Sequence, residues 1–187
     1  MSYRIHTPTF SEFISTLGGI GTPVILLEGS RQVPEEHRKL LVQLGALLAE
    51  KLPQARFRSG NAEGSDSLFA EGVASVDPSR MQVVTPTAGH RKKNLKSGYE
   101  VVSLGAVSEV KEEDLVYASN TATPKNASLM AKRKQIPRLG AKARYLLRDT
   151  LKVLGDPEQG LAPADVGIFY TKPDPIAGGT GHTIRVC

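Results

Sequence analysis

Short apolar runs alternate with longer, helically spaced segments along this 187-residue chain. Four short apolar runs, each bounded by turn-forming residues, predict β-strands. They cover residues 23–30, 55–60, 81–87 and 164–170. The first of them, PVILLEGS, is almost continuously apolar, which is typical of a strand buried on both faces of a sheet.

Helical spacing marks most of the chain between these strands. A helix is predicted over residues 34–52, where a leucine stripe is expected to join Met81 in the core: Leu40, Leu41, Leu44, Leu47 and Leu48. Further helices are predicted over residues 9–18 and 64–76, and over residues 128–154 with a break at Pro137. Residues 89–123 are the least regular segment, with one helical pattern at EVKEEDLVYASN.

The order of these elements predicts the fold class. Strands and helices alternate as βαβαβ…αβ, which favours an α/β protein with a mainly parallel sheet covered by helices. At 187 residues, a single domain over residues 1–187 is expected. Ligands of such sheets bind outside the carboxyl ends of the strands.

Composition narrows the class of protein. A hydrophobic fraction of 40% indicates a globular chain, and the longest apolar runs are too short to span a bilayer. The first residues, MSYRIHTPTF, lack the pattern of a secretory signal, so a cytoplasmic location and no membrane partner are expected. The lone cysteine, Cys187, excludes an internal disulfide, and the four histidines show no metal-ligand spacing. No metal or cofactor is predicted.

Charge points to anionic partners. The net charge is +5, and cations cluster at HRKKNLK (residues 90–96) and between residues 131 and 152, where Asp149 is the only acid. Such a field favours nucleotides, nucleic acid or an acidic membrane surface. A solvated helix face is the other interpretation of the second cluster. Aromatic residues form only 5% of the chain and do not alternate with the cations, so no stacking platform for single strands is evident.

Three turns at the predicted carboxyl ends of strands share an unusual chemistry. They read EGSR (residues 28–31), SGNAEGSD (59–66) and AGGTGHT (177–183), all rich in glycine and hydroxyl groups. Glycines at these places leave the backbone accessible, and Ser65 or Asp66 can cap the helix that follows the second turn. A helix N-terminus with free amides binds anions. An anion-binding cleft is therefore predicted where the three turns meet.

The same residues resemble a known superfamily. A strand that ends in Gly-Ser-Arg, then SGNAEGSDSLFAEG, then ADVGIFY…GGTGHTIR, is similar to the SLOG superfamily of Rossmann-like proteins. That group includes the bacterial DNA-processing protein A and the "lonely guy" phosphoribohydrolases, often described as lysine decarboxylase-like. The likeness is greatest to its small bacterial and phage members. It covers residues 23–84 and 164–187 and implies a three-layer α/β/α, nucleotide-binding fold.

The resemblance also implies a set of ligand-contacting residues. The first turn would contact a phosphate, the second would line the floor of the pocket and start its helix against the ligand, and the third would wrap a phosphate at the start of the last helix. The residues are, in that order, Gly29, Ser30 and Arg31; Ser59, Gly60, Asn61, Gly64, Ser65 and Asp66; and Gly178, Gly179, Thr180, Gly181 and Thr183.

Two departures from the family pattern matter. The phosphoribohydrolases carry P-G-G-x-G-T-x-x-E, whereas this chain reads AGGTGHTIR, with Arg185 at the position of the glutamate that serves hydrolysis. Hydrolase chemistry is therefore not inherited through that residue. The chain also stops at Cys187, where family members continue into a further strand, so an open sheet edge and self-association are expected.

Single residues carry competing interpretations. Asp66 is predicted to bind a ribose hydroxyl or act as a base, or to serve only the helix dipole. Arg31 is a phosphate ligand or an exposed cation. Glu28 is the best remaining acid–base carboxylate or a structural glutamate. His182 donates to phosphate, shuttles a proton, or faces solvent.

Three functions follow from these residues. The favoured hypothesis is a protein that binds a nucleotide or phosphorylated nucleoside derivative as a sensor or carrier. The alternatives are a nucleotide-cleaving hydrolase that uses Glu28 or Asp66, and a single-stranded DNA-binding protein that uses residues 132–152. Salt separates the last from the others, because binding to a nucleic-acid backbone weakens steeply as salt rises.

Overall fold

Five parallel strands form the central sheet in the computed structural model, which describes residues 8–171 and 178–187. The strands are β1 (Val24–Gly29), β2 (Arg56–Ser59), β3 (Met81–Thr85), β4 (Glu100–Ser103) and β5 (Val166–Tyr170). The strand order is β4–β3–β2–β1–β5, and every neighbouring pair is parallel.

Helices cover both faces of this sheet, which confirms the predicted three-layer α/β/α architecture. The helices are α1 (Phe10–Gly18), α2 (Glu35–Lys51), α3 (Ser65–Val76), α4 (Glu109–Ala122), α5 (Ala127–Ala131), α6 (Pro137–Leu154) and α7 (Gly178–Val186). One face of the sheet packs on α1, α2 and α3 around Leu48 and Phe69, and the other on α4, α5 and α6 around Leu115 and Leu151. The last helix, α7, packs against α4 and α6.

One strand was missing from the sequence-based prediction. β4 lies in the irregular segment and contains a single buried residue, Val102. It exists because Glu100–Ser103 pair with Gln82–Thr85 of β3 at the edge of the sheet. An edge strand of four residues has no continuous apolar run, so hydrophobic patterning does not reveal it.

The predicted helices of the second half are confirmed. EVKEEDLVYASN falls within α4, and the N-cap residue Ser108, just before the helix, accepts a hydrogen bond from the Lys111 amide through its side chain. The predicted break at Pro137 separates α5 from α6, and Pro137 is the first residue of α6. Proline suits that first turn because it has no N–H to satisfy.

The leucine stripe of α2 is only partly core. Met81, Leu41 and Leu48 are buried, as predicted, but Leu40 and Leu47 are 58% and 37% exposed. Leu40 and Leu47 are seven residues apart and share one side of α2, next to the side that carries the buried pair Leu41 and Leu48. Their side of the helix therefore lies at the margin of the buried face.

The sheet order positions the three turns. β2, β1 and β5 are neighbours, so their carboxyl ends lie side by side on one edge of the sheet. The chain leaves β1 toward β2 in one direction and returns to β5 on its other side, which makes β1 and β5 the switch point of this sheet. Among the described residues, no helix combines the length and apolar character needed to cross a bilayer.

Candidate functional site

A polar cavity of about 420 Å³ lies at the carboxyl ends of β1 and β5. The first predicted turn and residues 178–180 of the third meet there, and Thr180 Oγ1 donates a hydrogen bond to the Gly29 carbonyl at 3.0 Å. Ala177, the first residue of the third turn, lies outside the described residues. Seven of the predicted site residues line it: Gly29, Ser30, Arg31, Asp66, Gly178, Gly179 and Thr180. We call this space the polar cavity.

Residues 59–61 of the second turn form hydrogen bonds behind the cavity wall. Gly60 donates its amide to Asp66 Oδ2 at 3.3 Å, and its carbonyl accepts from Arg148 Nη1 at 2.7 Å. Asn61 has a positive φ of 55°, and its side-chain amide donates to the Arg91 carbonyl. Ser59 is buried, and its hydroxyl accepts from the Asn61 amide. None of these three residues is among those that line the polar cavity.

Gly64 and Ser65 hold the first turn in place instead of facing the cavity. The Ser65 amide and hydroxyl both donate to the Ser30 carbonyl at 3.0 Å. Gly64 has a φ of +84°, and a Cβ there would lie 2.4 Å from the Arg31 carbonyl oxygen. The predicted side-chain cap is wrong, because the residue that caps α3 is Gly64, which has no side chain to accept a hydrogen bond from the first turn of the helix.

Two further predicted residues lie inside α7, beneath the cavity. Gly181 and Thr183 are buried, and Thr183 Oγ1 lies 3.3 Å from Glu28 Oε2 and 3.2 Å from the Gly179 carbonyl. The Thr183 hydroxyl thus links α7 to the end of β1. This contact makes Glu28 a residue of the cavity wall with a defined partner.

Sequence reasoning missed a buried charge cluster that α6 brings to the polar cavity. Lys152 Nζ lies 2.5 Å from Glu28 Oε1 and 2.8 Å from Asp149 Oδ1. Arg148 Nη2 lies 2.8 Å from the same Asp149 oxygen. All four side chains are less than one-tenth exposed and line the cavity. The available signal was Asp149, a single acid inside a strongly basic segment.

Burial of Arg148 and Lys152 corrects the interpretation of residues 131–152 as one solvated basic face. Arg133 in the same segment is also engaged, since it pairs with Glu112 at 3.1 Å and with Glu113 at 2.5 Å. The basic run therefore divides into a buried part at the cavity and an exposed part at the start of α6.

The Asp66 carboxylate accepts hydrogen bonds from three backbone amides beside the cavity. The donors are the amides of Gly29 and Gly60 at 3.3 Å and of Ala62 at 3.4 Å. Burial, and then the nearby Glu28 carboxylate, raise the pKa of Asp66 to about 6, against the opposing effect of the Lys152 and Arg148 cations. Near neutral pH, Asp66 can thus exchange a proton with a ligand.

Replacing Asp66 with asparagine is expected to remove a pH dependence of stability. Because the pKa of Asp66 is raised above its ordinary value near 3.8, its protonated form favours folding. That contribution is present in acid and is lost as pH rises from about 4 through about 6. The stability of Asp66→Asn relative to the wild type should therefore rise over this range, by on the order of 2 kcal/mol.

Urea unfolding at intervals between pH 4 and 7.5 measures this effect. Asp114→Asn, a change of the same type on an exposed residue of α4, is the matched control and should show no such trend. Parallel stability profiles for Asp66→Asn and the wild type would contradict the raised pKa.

Arg58 fixes the position of the charge cluster from within the sheet. This fully buried side chain donates to the carbonyls of Lys152 and Ala162 at 2.8 Å, and to Gln82 Oε1. Burial lowers the pKa of Arg58 to about 10, so it remains a cation at neutral pH. It ties the C-terminal part of α6 to β2 and thereby sets where Lys152 lies.

His182 does not face solvent, and it is not among the residues that line the polar cavity. Its Nδ1 lies 2.9 Å from Thr123 Oγ1, and its Nε2 lies 3.0 Å from Thr150 Oγ1. Burial lowers the pKa of His182, which favours the neutral ring. Arg185 lies on the same side of α7, where its Nε donates to Thr123 Oγ1.

Comparison with known proteins assigns no relative. No family model, curated protein or solved structure matches this chain. Within residues 8–171 and 178–187, no group of three or more His, Cys, Asp or Glu side chains is arranged to hold a metal ion. The geometry of the polar cavity is therefore the basis for assigning a function.

Proposed function

We propose that this protein binds a nucleotide or phosphorylated nucleoside derivative in the polar cavity, as a sensor or carrier. The observation that carries the proposal is the convergence of two glycine-rich turns and a buried charge cluster at the switch point between β1 and β5. Parallel sheets bind nucleotides at this position. The cavity volume of about 420 Å³ falls within the range of small-molecule sites.

The phosphate is expected at the start of α7. The first amides of a helix have no partner within the helix, and the helix dipole favours an anion there. Gly178 is exposed, and nothing lies within 4 Å of where its Cβ would be, so the backbone is open to a ligand. Arg31, exposed on the cavity wall, supplies a guanidinium suited to phosphate.

The sugar is expected over the carboxylates. Glu28, Asp66 and Asp149 all line the cavity, and carboxylates accept hydrogen bonds from ribose hydroxyls. The three lining cations, Arg31, Arg148 and Lys152, balance them. Arg148 also keeps a buried Nε without a hydrogen-bond partner in the described part of the chain. A ligand with both hydroxyl and phosphate groups fits this mixture better than a simple anion does.

We extend the proposal to the family. The three motifs, the parallel sheet and the placement of the first and third turns at one cavity support membership of the SLOG superfamily. Residue Arg185 lies away from the polar cavity, so the glutamate-dependent hydrolysis of the phosphoribohydrolases is not part of the proposal.

Thermal shift with purified protein tests the proposal. The panel holds AMP, ADP, ATP, ADP-ribose, NAD, ribose 5-phosphate and a short single-stranded oligonucleotide. A ligand at about 100 times its dissociation constant adds about 2.7 kcal/mol to stability, which is several degrees for a chain of this length. We expect a shift with a nucleotide, its loss in Arg31→Ala, and its retention in Arg138→Ala, an exposed arginine of α6.

Two results would overturn the proposal. A complete absence of shifts with the nucleotides would return the three turns to a structural role. Binding of the oligonucleotide alone, with collapse between about 50 and 200 mM salt, would support the DNA-binding alternative. That alternative has less support from the structure than from composition, because Arg133 is paired and Arg148 and Lys152 are buried.

The hydrolase alternative is favoured by one observation. Asp66 has a pKa of about 6 and lines the cavity, so near neutral pH its carboxyl can accept or release a proton during bond cleavage. Release of free base or of inorganic phosphate from the nucleotide that shifts stability would support it. Asp66→Asn should then bind that nucleotide without turnover.

A further inference from the structure

A second and larger cavity lies at the carboxyl ends of β3 and β4, apart from the candidate nucleotide site. Its volume is about 750 Å³, and it shares no lining residue with the polar cavity. Its wall is largely apolar, formed by Pro86 and Leu104 after the two strands and by Ala143 and Leu147 of α6. We call it the apolar cavity.

The charge of the apolar cavity is one-sided. Three of its lining residues are cations, Arg133, Lys134 and Arg144. Glu112 is the only acid among its lining residues. Arg133 uses Glu112 and Glu113, and Lys134 shares Glu113 at 3.5 Å. Two carboxylates thus serve two of the three cations.

Arg144 is the cation left over. Among the described residues it has no ion pair and no side-chain hydrogen bond, although it lines the apolar cavity from α6. It lies one helical turn before Arg148, which lines the polar cavity, so α6 presents one arginine to each site. The two arginines differ in that Arg148 is buried and paired with Asp149.

We propose that the apolar cavity binds a small organic anion with a hydrocarbon body and a single acidic group. The body would fill the wall formed by Leu104, Ala143 and Leu147, where contact with water is otherwise unfavourable. The acidic group would pair with Arg144 at the rim. A volume of about 750 Å³ accommodates a ligand of drug-like size. The site is independent of the proposed nucleotide site.

The probe for this site is 1-anilinonaphthalene-8-sulfonate, an apolar aromatic body with one sulfonate. Its fluorescence titrates the folded full chain, and the thermal melt of each variant checks that it is folded. We expect one saturable site with a dissociation constant that rises about tenfold in Arg144→Ala. The uncharged analogue N-phenyl-1-naphthylamine should bind the wild type more weakly than the sulfonate does. Its affinity for Arg144→Ala should equal its affinity for the wild type.

Gly105→Leu is designed to fill the cavity from a position where the backbone has room for a Cβ. Gly105 is exposed and lines the apolar cavity, and a Cβ there would meet no atom closer than 3.6 Å. We expect this variant to lose the saturable signal. Lys39→Ala, on the exposed surface of α2, is the charge control and should bind the probe as the wild type does.

The outcomes separate this proposal from the nucleotide site. Probe binding unchanged in Arg31→Ala, together with nucleotide shifts unchanged in Arg144→Ala, would support two independent sites. Wild-type affinity in Gly105→Leu would overturn the proposed location. Equal loss in Arg144→Ala and Lys39→Ala would overturn specific recognition of the anion, since it would reflect net charge alone.

Discussion

Lys152→Met is expected to lower the free energy of unfolding by about 3–5 kcal/mol, the cost of breaking a buried ion pair. The ammonium lies between Glu28 and Asp149, and all three side chains are almost fully buried. Methionine matches the length of the stem but leaves two carboxylates without their shared cation. For a chain of this length the melting temperature should fall by about 10 °C or more.

Urea unfolding at several pH values tests this expectation. Burial alone would raise the pKa of Asp149, but the Lys152 and Arg148 cations outweigh it and hold that pKa below its usual value. This depressed pKa contributes stability at neutral pH that disappears in acid. The difference between wild type and variant should therefore persist down to about pH 4, near the ordinary pKa of an aspartate, and narrow below it. Lys39→Met, an exposed lysine of α2, should change stability little; a similar loss in both variants would contradict the role of the pair.

Gly72→Ala is the second large effect, at about 3 kcal/mol. A Cβ at Gly72 of α3 would lie 2.0 Å from the carbonyl oxygen of Val42 and 2.8 Å from the amide nitrogen of Ala46, both on the backbone of α2. Backbone atoms inside a helix cannot rotate away, so the two helices must separate and lose contacts around Phe69. This cost exceeds the gain of about 1 kcal/mol that alanine brings to a helix interior.

The control for Gly72→Ala is Gly105→Ala, where no atom lies closer than 3.6 Å to the new Cβ. Equilibrium unfolding in urea should show a large loss for the first and a change within about 0.5 kcal/mol for the second. Equal stability of the two variants would mean that α2 and α3 do not cross as closely as described.

Both substitutions affect features that shape the candidate site. Lys152 belongs to the buried charge cluster that lines the polar cavity, and packing of α2 on α3 positions the helix whose first turn contains Asp66. Apart from Glu28, the residues of these two features lie outside the glycine-rich turns, yet both features help to position the turns. Variants in the turns themselves, such as Arg31→Ala, should alter ligand binding with little change in stability, because Arg31 is exposed.

The site residues implied by the family resemblance fall into two groups according to their tertiary contacts: some line the polar cavity, and others support those residues. Gly29, Ser30, Arg31 and the start of α7 line the polar cavity, because the carboxyl ends of β1 and β5 are neighbours. Gly60, Gly64 and Ser65 support these residues from behind, through hydrogen bonds and close backbone approach. Both roles place glycine and hydroxyl residues in a turn, so sequence alone does not distinguish a ligand contact from a supporting one.

The amino-acid sequence alone was enough for the local part of this protein. Strand β1, helices α2 and α3 and the break at Pro137 follow from periodicity and backbone chemistry, which act over a few residues. The grouping of turns at one sheet edge follows from the alternation of strands and helices along the chain. The remaining features depend on contacts between distant residues. Pairing with β3 created β4, and burial turned Arg148, Asp149 and Lys152 from an apparent surface run into the charged wall of a cavity. Whether a charge faces water or another charge depends on which distant residues fold against it, and no local pattern records that.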